Sequence, residues 1–446
     1  MNPQVITEWS PYSIVLYSAQ RPPPLGTVDT DKKLEQLARE HLIKVASEGA
    51  FLYVFGSAGV SKTYEANRKA FDKWAIVPRM LRDCSSRNLE TTIFGQKFKA
   101  PMLLAPIGVQ GILHPEAELA TAIAARETDI PMVLSTAATR SMEEVAQVSG
   151  DAHRWYQLYW PLSDEITLSL LKRAKESGYS ALVVTLDTMF IGWRPHDIDT
   201  AYLPFVHSYG CQNGFSDPVF MARYGKQPAT KTDLAFPYNP RESNARIAQG
   251  DPVAKGIAHM SMEWNKELAS GRQRSWDELK LLRDNWEGKL VLKGIQSVAD
   301  AESAIDAGAD GIIVSNHGGR QVDGGVSALW SLEQIMKSEK VKEAQATGKL
   351  TILFDSSIRN GPDMFKALAL GAQAVLLGRP YVYGLALGGA DGVKHVIKSI
   401  LAELEMTMGL SGYKSISEIQ GKAEEILARV EERNVLCVKS DCVSRL

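Results

Sequence analysis

Gly311-Ile312-Ile313-Val314-Ser315-Asn316-His317-Gly318-Gly319-Arg320 is a short unbroken apolar run that ends in a histidine, two glycines and an arginine. Continuous apolar character, rather than alternation, suits a strand buried on both faces of a parallel sheet. Runs of the same kind recur at 102–105, 132–135, 155–159, 181–186, 290–293, 351–355 and 374–378. Amphipathic helical stretches lie between them, some opening on capping-box patterns: Ser141 with Glu144, Ser275 with Glu278 and, more loosely, Ser297 with Asp300. Eight strand–helix repeats predict an α/β fold, a (β/α)8 TIM barrel; a doubly wound parallel sheet is the alternative.

Residues 1–98 do not share this rhythm and read as an N-terminal arm with helices packed on the barrel. Arg21-Pro22-Pro23-Pro24 is extended, because each proline disfavours helix in the residue before it. Residues 31–50 and 64–74 have helical periods. The barrel then occupies 99–446, so the chain is effectively one domain. Its one long interruption, about 195–274, follows the fourth strand and is punctuated by Gly210, Gly214, Pro218, Pro228, Pro237, Pro240 and Pro252. An excursion of that length from a strand's C-terminal end predicts a cover for the active site; an oligomer contact or a disordered insert is the other reading.

With 446 residues, 45% hydrophobic and 23% charged, the chain can bury a large core. A formal net charge of −2 gives no basic excess for nucleic acid. No apolar run approaches the ~20 residues of a membrane span, and 1–18 makes a poor signal peptide. Cys84, Cys211, Cys437 and Cys442 are too sparse for a disulfide framework and lack metal spacing, so no metal site is expected and a reducing compartment is. Ser444-Arg445-Leu446, which follows a charged stretch over 422–432 that reads as helical, differs from the peroxisomal address Ser-Lys-Leu by one cation-for-cation change. A peroxisomal location, otherwise a cytoplasmic one, is the expectation.

Reactive residues gather at the predicted strand ends: Gln157 and Tyr159, Thr185 and Asp187 with Arg194 beyond, Lys293, His317 and Arg320, Asp355 and Arg359, and Gly378-Arg379. In a barrel these positions share one mouth. The loops after the seventh and eighth strands, Asp355-Ser356-Ser357-Ile358-Arg359-Asn360-Gly361 and Gly378-Arg379-Pro380, combine glycines with forked guanidinium donors and predict a phosphorylated ligand. Lys293, closing the apolar Leu290-Val291-Leu292, calls for an anionic or electron-rich partner. His317 is the candidate general base, and topology offers Asp187 as the acid that orients it. Arg194 and Arg320 match the charge of a carboxylate substrate.

Together these residues resemble the FMN-dependent 2-hydroxy acid oxidase and dehydrogenase family, over about 53–413. The segments that carry the likeness include Ala105-Pro106-Ile107-Gly108, Gln157-Leu158-Tyr159, Thr185-Leu186-Asp187-Thr188, Leu292-Lys293-Gly294, Ser315 to Gln321, and Lys366 to Ala372. Gly192-Trp193-Arg194-Pro195, Lys293-Gly294-Ile295-Gln296, Gly378-Arg379-Pro380-Tyr381 and the long insertion look similar to the lactate 2-monooxygenase branch. The resemblance implies FMN held by Ala105, Pro106, Ile107, Ser135, Gln157, Thr185, Lys293, Asp355, Arg359, Gly378 and Arg379. It implies His317, supported by Asp187, as base and Lys293 as the charge that stabilises reduced flavin. Arg194 and Arg320 would clamp the substrate carboxylate, with Tyr53 and Tyr159 beside it. A 2-hydroxy acid would be oxidised to the 2-oxo acid with O2, either releasing H2O2 or decarboxylating the product, in a homotetramer or higher homo-oligomer. A dehydrogenase with another acceptor, or a non-catalytic flavin-binding protein, is the alternative. There are two departures from the pattern. Ser356-Ser357 stands where most members have Gly-Gly, which puts FMN affinity in question, and Ala137 stands where glycolate oxidase has tryptophan, which predicts a roomier pocket.

Overall fold

The structure, a computed structural model, describes residues 7–430; Cys437, Cys442 and Ser444-Arg445-Leu446 lie outside the described residues. Eight strands close into one barrel. They are β1 (Met102–Leu104), β2 (Met132–Ser135), β3 (Arg154–Leu158), β4 (Ala181–Thr185), β5 (Lys289–Ile295), β6 (Gly311–Val314), β7 (Thr351–Phe354) and β8 (Ala374–Leu377). Every neighbouring pair is parallel, including β8 with β1, which closes the ring. The doubly wound alternative is thereby excluded.

Alternation along each strand divides the core in two. Leu103, Val133, Trp155, Val183, Val291, Ile313, Leu353 and Leu376 meet inside the barrel, whereas Met102, Leu104, Met132, Leu134, Leu182 and Ile312 belong to the outer layer under the helices. Both faces are apolar, which is why the strands read as continuous runs. The hairpin Thr91–Ile93 and Gln96–Phe98 joins the inner cluster through Ile93 and Phe98, and the Phe94 ring lies 5.5 Å from that of Trp155. It plugs the N-terminal end of the barrel. The C-terminal end is the one left for a site.

Three local expectations are corrected. The helix expected over 31–50 is two, Lys32–Val45 and Glu48–Phe55, because Ser47 caps the second by accepting from the Ala50 amide at 3.1 Å. Among the described residues, the charged stretch expected to be helical over 422–432 holds only the short helix Ala423–Ile426. It then forms a strand, Leu427–Arg429, antiparallel to Trp74–Ile76. Burial of Ile426 and Leu427 and pairing with the arm outweigh helix propensity there. The full capping box exists at Ser141–Glu144, while near Ser275 the helix begins only at Leu279 and Glu278 accepts from the Ser275 amide without a serine cap in return.

The excursion after β4 is mostly helical, its main elements being Pro240–Ala248 and Pro252–Leu268. Arg173 fastens its first part to the barrel by donating to the fully buried Asp217 at 3.0 Å and to the Asn213 carbonyl at 2.8 Å. The last turn of Pro252–Leu268 brings Asn265 and Leu268 to the barrel mouth. Among the described residues no helix is long and apolar enough to cross a membrane.

Candidate active site

His317 follows β6 with φ at 58°, in the left-handed region that few non-glycine residues adopt. Its Nδ1 lies 2.9 Å from Asp187 Oδ1, just beyond β4. Thr188 Oγ1 donates to the same carboxylate oxygen at 3.0 Å. Nδ1 is therefore the protonated nitrogen, and Nε2 is left with its lone pair on the cavity that His317 lines. Burial is the largest influence on His317. With Lys293 and Arg194 it holds the ring below the usual imidazole pKa against the pull of Asp187. For Asp187, burial acts to raise the pKa, but His317 and Lys293 outweigh it and keep the carboxyl well below its ordinary range. A neutral imidazole backed by a carboxylate is competent to take a proton.

The approach of Asp187 depends on Gly294. The β5–β6 register shifts between Lys293 and Ile295, Gly294 sits at φ 101°, and a Cβ there would stand 2.9 Å from the Asp187 Cβ. A bulge with glycine admits the acid and aims Lys293 at the mouth. Lys293 is 4% exposed, with Nζ 3.3 Å from Asp355 Oδ2 and 3.0 Å from Ser315 Oγ. Burial would lower its pKa, but Asp355 and Asp187 more than compensate, so the ammonium stays charged.

Two more cations border the cavity. Arg194 donates from Nε to the Arg320 carbonyl at 3.0 Å and from Nη2 to Gln321 Oε1 at 2.8 Å. Arg320 donates to the Tyr53 carbonyl at 2.8 Å and stacks its guanidinium 5.8 Å from the Tyr53 ring centroid. Burial, then Arg194 and Arg379, pushes Arg320 down to about 9. A mouth with such an excess of positive charge favours an anion.

Beyond the seventh and eighth strands the cavity wall is made of Asp355 to Arg359 and Gly378-Arg379. Gly378 is the N-cap of the helix Arg379–Leu410 and has no side-chain cap. A Cβ on it would meet nothing nearer than Ile107 at 3.9 Å. Ser357 Oγ and Arg359 Nη2 are buried without a hydrogen-bond partner among the described residues. Arg379, by contrast, donates to the carbonyls of Val54, Phe55 and Gly56 at the end of Glu48–Phe55. Of the two arginines, Arg359 is the one with a donor to spare.

Of the residues singled out in the sequence, Tyr53, Ala105, Pro106, Ile107, Tyr159, Arg194, Lys293, His317, Arg320, Asp355, Arg359, Gly378 and Arg379 all line this one cavity. Ser135, Gln157 and Thr185 do not line it. They form a chain across three strand ends, Ser135 Oγ to Gln157 Oε1 at 3.0 Å and Gln157 Nε2 to Thr185 Oγ1 at 2.9 Å. Sequence reasoning missed Asn67, which exchanges hydrogen bonds with Asn316, and Gln321, whose amide ties the Asp187 and Phe190 carbonyls to Arg194. It also missed Phe205, Asn265 and Leu268, which the excursion adds to the wall. A polar Asn67 among the buried positions of its helix was the one available signal.

Residues 43–426 match the family model described as FMN-dependent dehydrogenase. The chain belongs to the FMN-dependent dehydrogenase family. Its members are enzymes that work with FMN. An FMN-dependent alpha-hydroxy acid dehydrogenase of Schizosaccharomyces pombe is 45% identical over 88% of this chain and 89% of its own length. One from Penicillium citrinum is 43% identical over 86% and 88%. The L-lactate oxidase of Lysinibacillus sphaericus is 36% identical over 90% and 93%. A solved structure of mandelate oxidase with 3,3-difluoro-2-hydroxy-3-phenylpropionic acid superposes with a TM-score of 0.68 at 32% identity, covering 88% of this chain and 97% of that one.

Proposed function

We propose that this enzyme oxidises a 2-hydroxy acid to the 2-oxo acid, with His317 as the base and O2 as the final acceptor. The observation that carries the reading is the His317–Asp187 pair, 2.9 Å apart, opening on the cavity that Arg194, Arg320 and Lys293 also border. A base, a place for a carboxylate and a fixed charge beside an electron acceptor are the three things the reaction needs. Relatives named for lactate, mandelate and 2-hydroxy acids support the substrate class.

The residues fit FMN. Ser357 Oγ and Arg359 Nη2 are buried donors without partners among the described residues, and the uncapped helix start at Gly378-Arg379 adds backbone amides, a combination suited to a phosphate. Ala105, Pro106 and Ile107 would flank the ring system, with Lys293 beside it and the Ser135–Gln157–Thr185 chain behind. When bound, FMN supplies the two-electron acceptor.

Arg194 and Arg320 take the substrate carboxylate and fix its orientation, with the Tyr53 and Tyr159 phenols alongside. Burial raises the pKa of both phenols, so they act as neutral hydrogen-bonding groups. His317 Nε2 accepts one proton from the substrate, and Asp187 stabilises the imidazolium so formed. Lys293, kept charged by Asp355, contributes positive potential to the wall, which favours an acceptor gaining electrons. The substrate loses two electrons and two protons; O2 takes them as H2O2, which either leaves or decarboxylates the 2-oxo acid still in place. Assembly as a homotetramer or higher oligomer belongs to the same proposal.

An absorption spectrum of the purified protein, then anaerobic mixing with a panel of 2-hydroxy acids, tests the reading. A flavin band near ~450 nm that one of the acids bleaches is the expected result. A yellow protein that no 2-hydroxy acid bleaches would refute the substrate class. Aerobic assay for peroxide against CO2 then separates oxidase from monooxygenase, and a bleached flavin that O2 does not restore would point to another acceptor.

A further inference from the structure

Ser356 and Ser357 have φ of 81° and 82°, so two successive residues with side chains occupy the left-handed region that glycine adopts freely. What the Ser356 hydroxyl does there is specific. Its Oγ donates to Asp355 Oδ1 at 2.7 Å and accepts from the amides of Asn316 at 3.3 Å and Gly318 at 3.0 Å. Those two amides stand on either side of His317. The amide of His317 itself donates to Ser315 Oγ at 3.0 Å, and that hydroxyl also accepts from Lys293 Nζ. Three consecutive N–H groups are thus gathered by two serine hydroxyls. The second oxygen of Asp355 meets Lys293, so the circuit from Lys293 through Asp355, Ser356, the His317 loop and Ser315 closes on itself.

We propose that Ser356 is a positioning residue for His317, fixing the backbone on both sides of it so that the imidazole meets Asp187 with one nitrogen and the cavity with the other. The inference rests on the reading of His317 as the base. Two features single out Ser356 from an ordinary loop serine. It is 7% exposed with three hydrogen bonds of its own, and the backbone it occupies disfavours any side chain. The residue it serves is also in the left-handed region, at φ 58°, and so has little local reason to hold its conformation unaided. Glycine at 356 would suit the backbone better but could not collect the two amides.

The test compares FMN-loaded full-length wild type, Ser356→Gly, Ser356→Ala and His317→Gln. FMN affinity is read by flavin fluorescence, thermal midpoint by melting, and the limiting rate and half-saturation of anaerobic flavin bleaching with lactate, mandelate, glycolate and 2-hydroxyoctanoate. Ser356→Gly is expected to keep FMN affinity and half-saturation close to wild type and to melt no lower, while its limiting rate falls roughly tenfold to a hundredfold, the scale of an ångström-level misplacement. Ser356→Ala, which loses the hydroxyl but keeps the strained backbone, is expected to slow bleaching similarly. A wild-type rate in Ser356→Gly with a slow His317→Gln overturns the positioning role and leaves the base reading standing. A slow Ser356→Gly that also releases FMN or melts lower overturns it too, since the hydroxyl would then serve the cofactor or the fold. Undiminished bleaching in His317→Gln, or no bleaching of wild type by any of the four acids, removes the base reading and this inference with it.

Discussion

Asn67 and Asn316 exchange two hydrogen bonds, Asn67 Nδ2 to Asn316 Oδ1 at 2.8 Å and Asn316 Nδ2 to Asn67 Oδ1 at 2.7 Å, with both residues buried. Each amide has a second task. Asn67 Oδ1 accepts from the Ala328 amide at 3.0 Å, and Asn316 Oδ1 accepts from the Gly319 amide at 3.2 Å. The N-terminal arm is therefore part of the support of the loop that carries His317. Gly319 records the same closeness, since a Cβ there would stand 2.7 Å from the Tyr64 amide nitrogen. Asn67→Ala leaves buried amide groups of Asn316 and Ala328 short of partners, a cost of about 1–3 kcal/mol. A melting point lowered by several degrees, together with slower flavin bleaching, is expected. An Asn67→Ala protein with wild-type melting and rate would show that the arm does not support the loop.

The barrel and the placing of its reactive residues were legible because both rest on local patterns. Each apolar run is a strand buried on two faces, and a polar residue just after such a run has only the mouth to face. His317, Lys293, Asp355 and Arg359 were found that way. What stayed hidden depends on contacts far apart in the chain. Asn67 meets Asn316 across 249 positions, and Asn265 and Leu268 reach the wall only because the excursion folds as helices. The strand at Leu427–Arg429 was missed for the same reason, its partner Trp74–Ile76 lying in the arm. Ser356 was visible as a departure from glycine, but its hydrogen bonds to the loop of β6 were not.

The pH dependence follows from the sign of the His317 shift. Its pKa lies below the usual imidazole value, chiefly through burial, so the neutral base predominates at neutral pH and is lost only as pH falls through that lowered value. kcat/KM should stay flat from neutral pH to below about 6.5, the ordinary imidazole value, and then fall with unit slope. Asp187 opposes the shift, so Asp187→Asn should move this acid limb to still lower pH. It should also cut kcat by roughly 10²–10⁴, because the imidazolium loses its counter-charge. An acid limb moved upward in Asp187→Asn would contradict this arrangement.

Ser357 and Arg359 make a separate prediction about cofactor affinity. Each presents a buried donor with no partner among the described residues, and a hydrogen bond to a charged group contributes about 1.5–3 kcal/mol. Ser357→Ala should therefore raise the FMN dissociation constant about tenfold or somewhat more, and Arg359→Ala further. Riboflavin, which lacks the phosphate, provides the control in the same fluorescence titration. Its affinity should be nearly unchanged by Ser357→Ala. Equal losses for FMN and riboflavin would mean that Ser357 does not serve the phosphate.

Ala137 makes a prediction about substrate size: it lines the same cavity as the apolar Ile191, Phe205 and Leu268. Its surroundings are tight on the backbone side. A Cβ on Gly108 would come within 2.9 Å of the Ala137 Cβ, and one on Gly210 within 3.0 Å of its carbonyl oxygen. A larger side chain at 137 has only the cavity to enter. Ala137→Trp should leave the carboxylate clamp and the base in place while filling the space that a long or aromatic substituent occupies. A change of that kind in an apolar pocket discriminates by roughly 10–200-fold. In a comparison of kcat/KM across glycolate, lactate, 2-hydroxyoctanoate and mandelate, the two bulky acids should lose at least that much relative to glycolate. If all four fall by the same factor, Ala137 does not set the size of the pocket, and the apolar residues brought by the excursion are the ones to vary next.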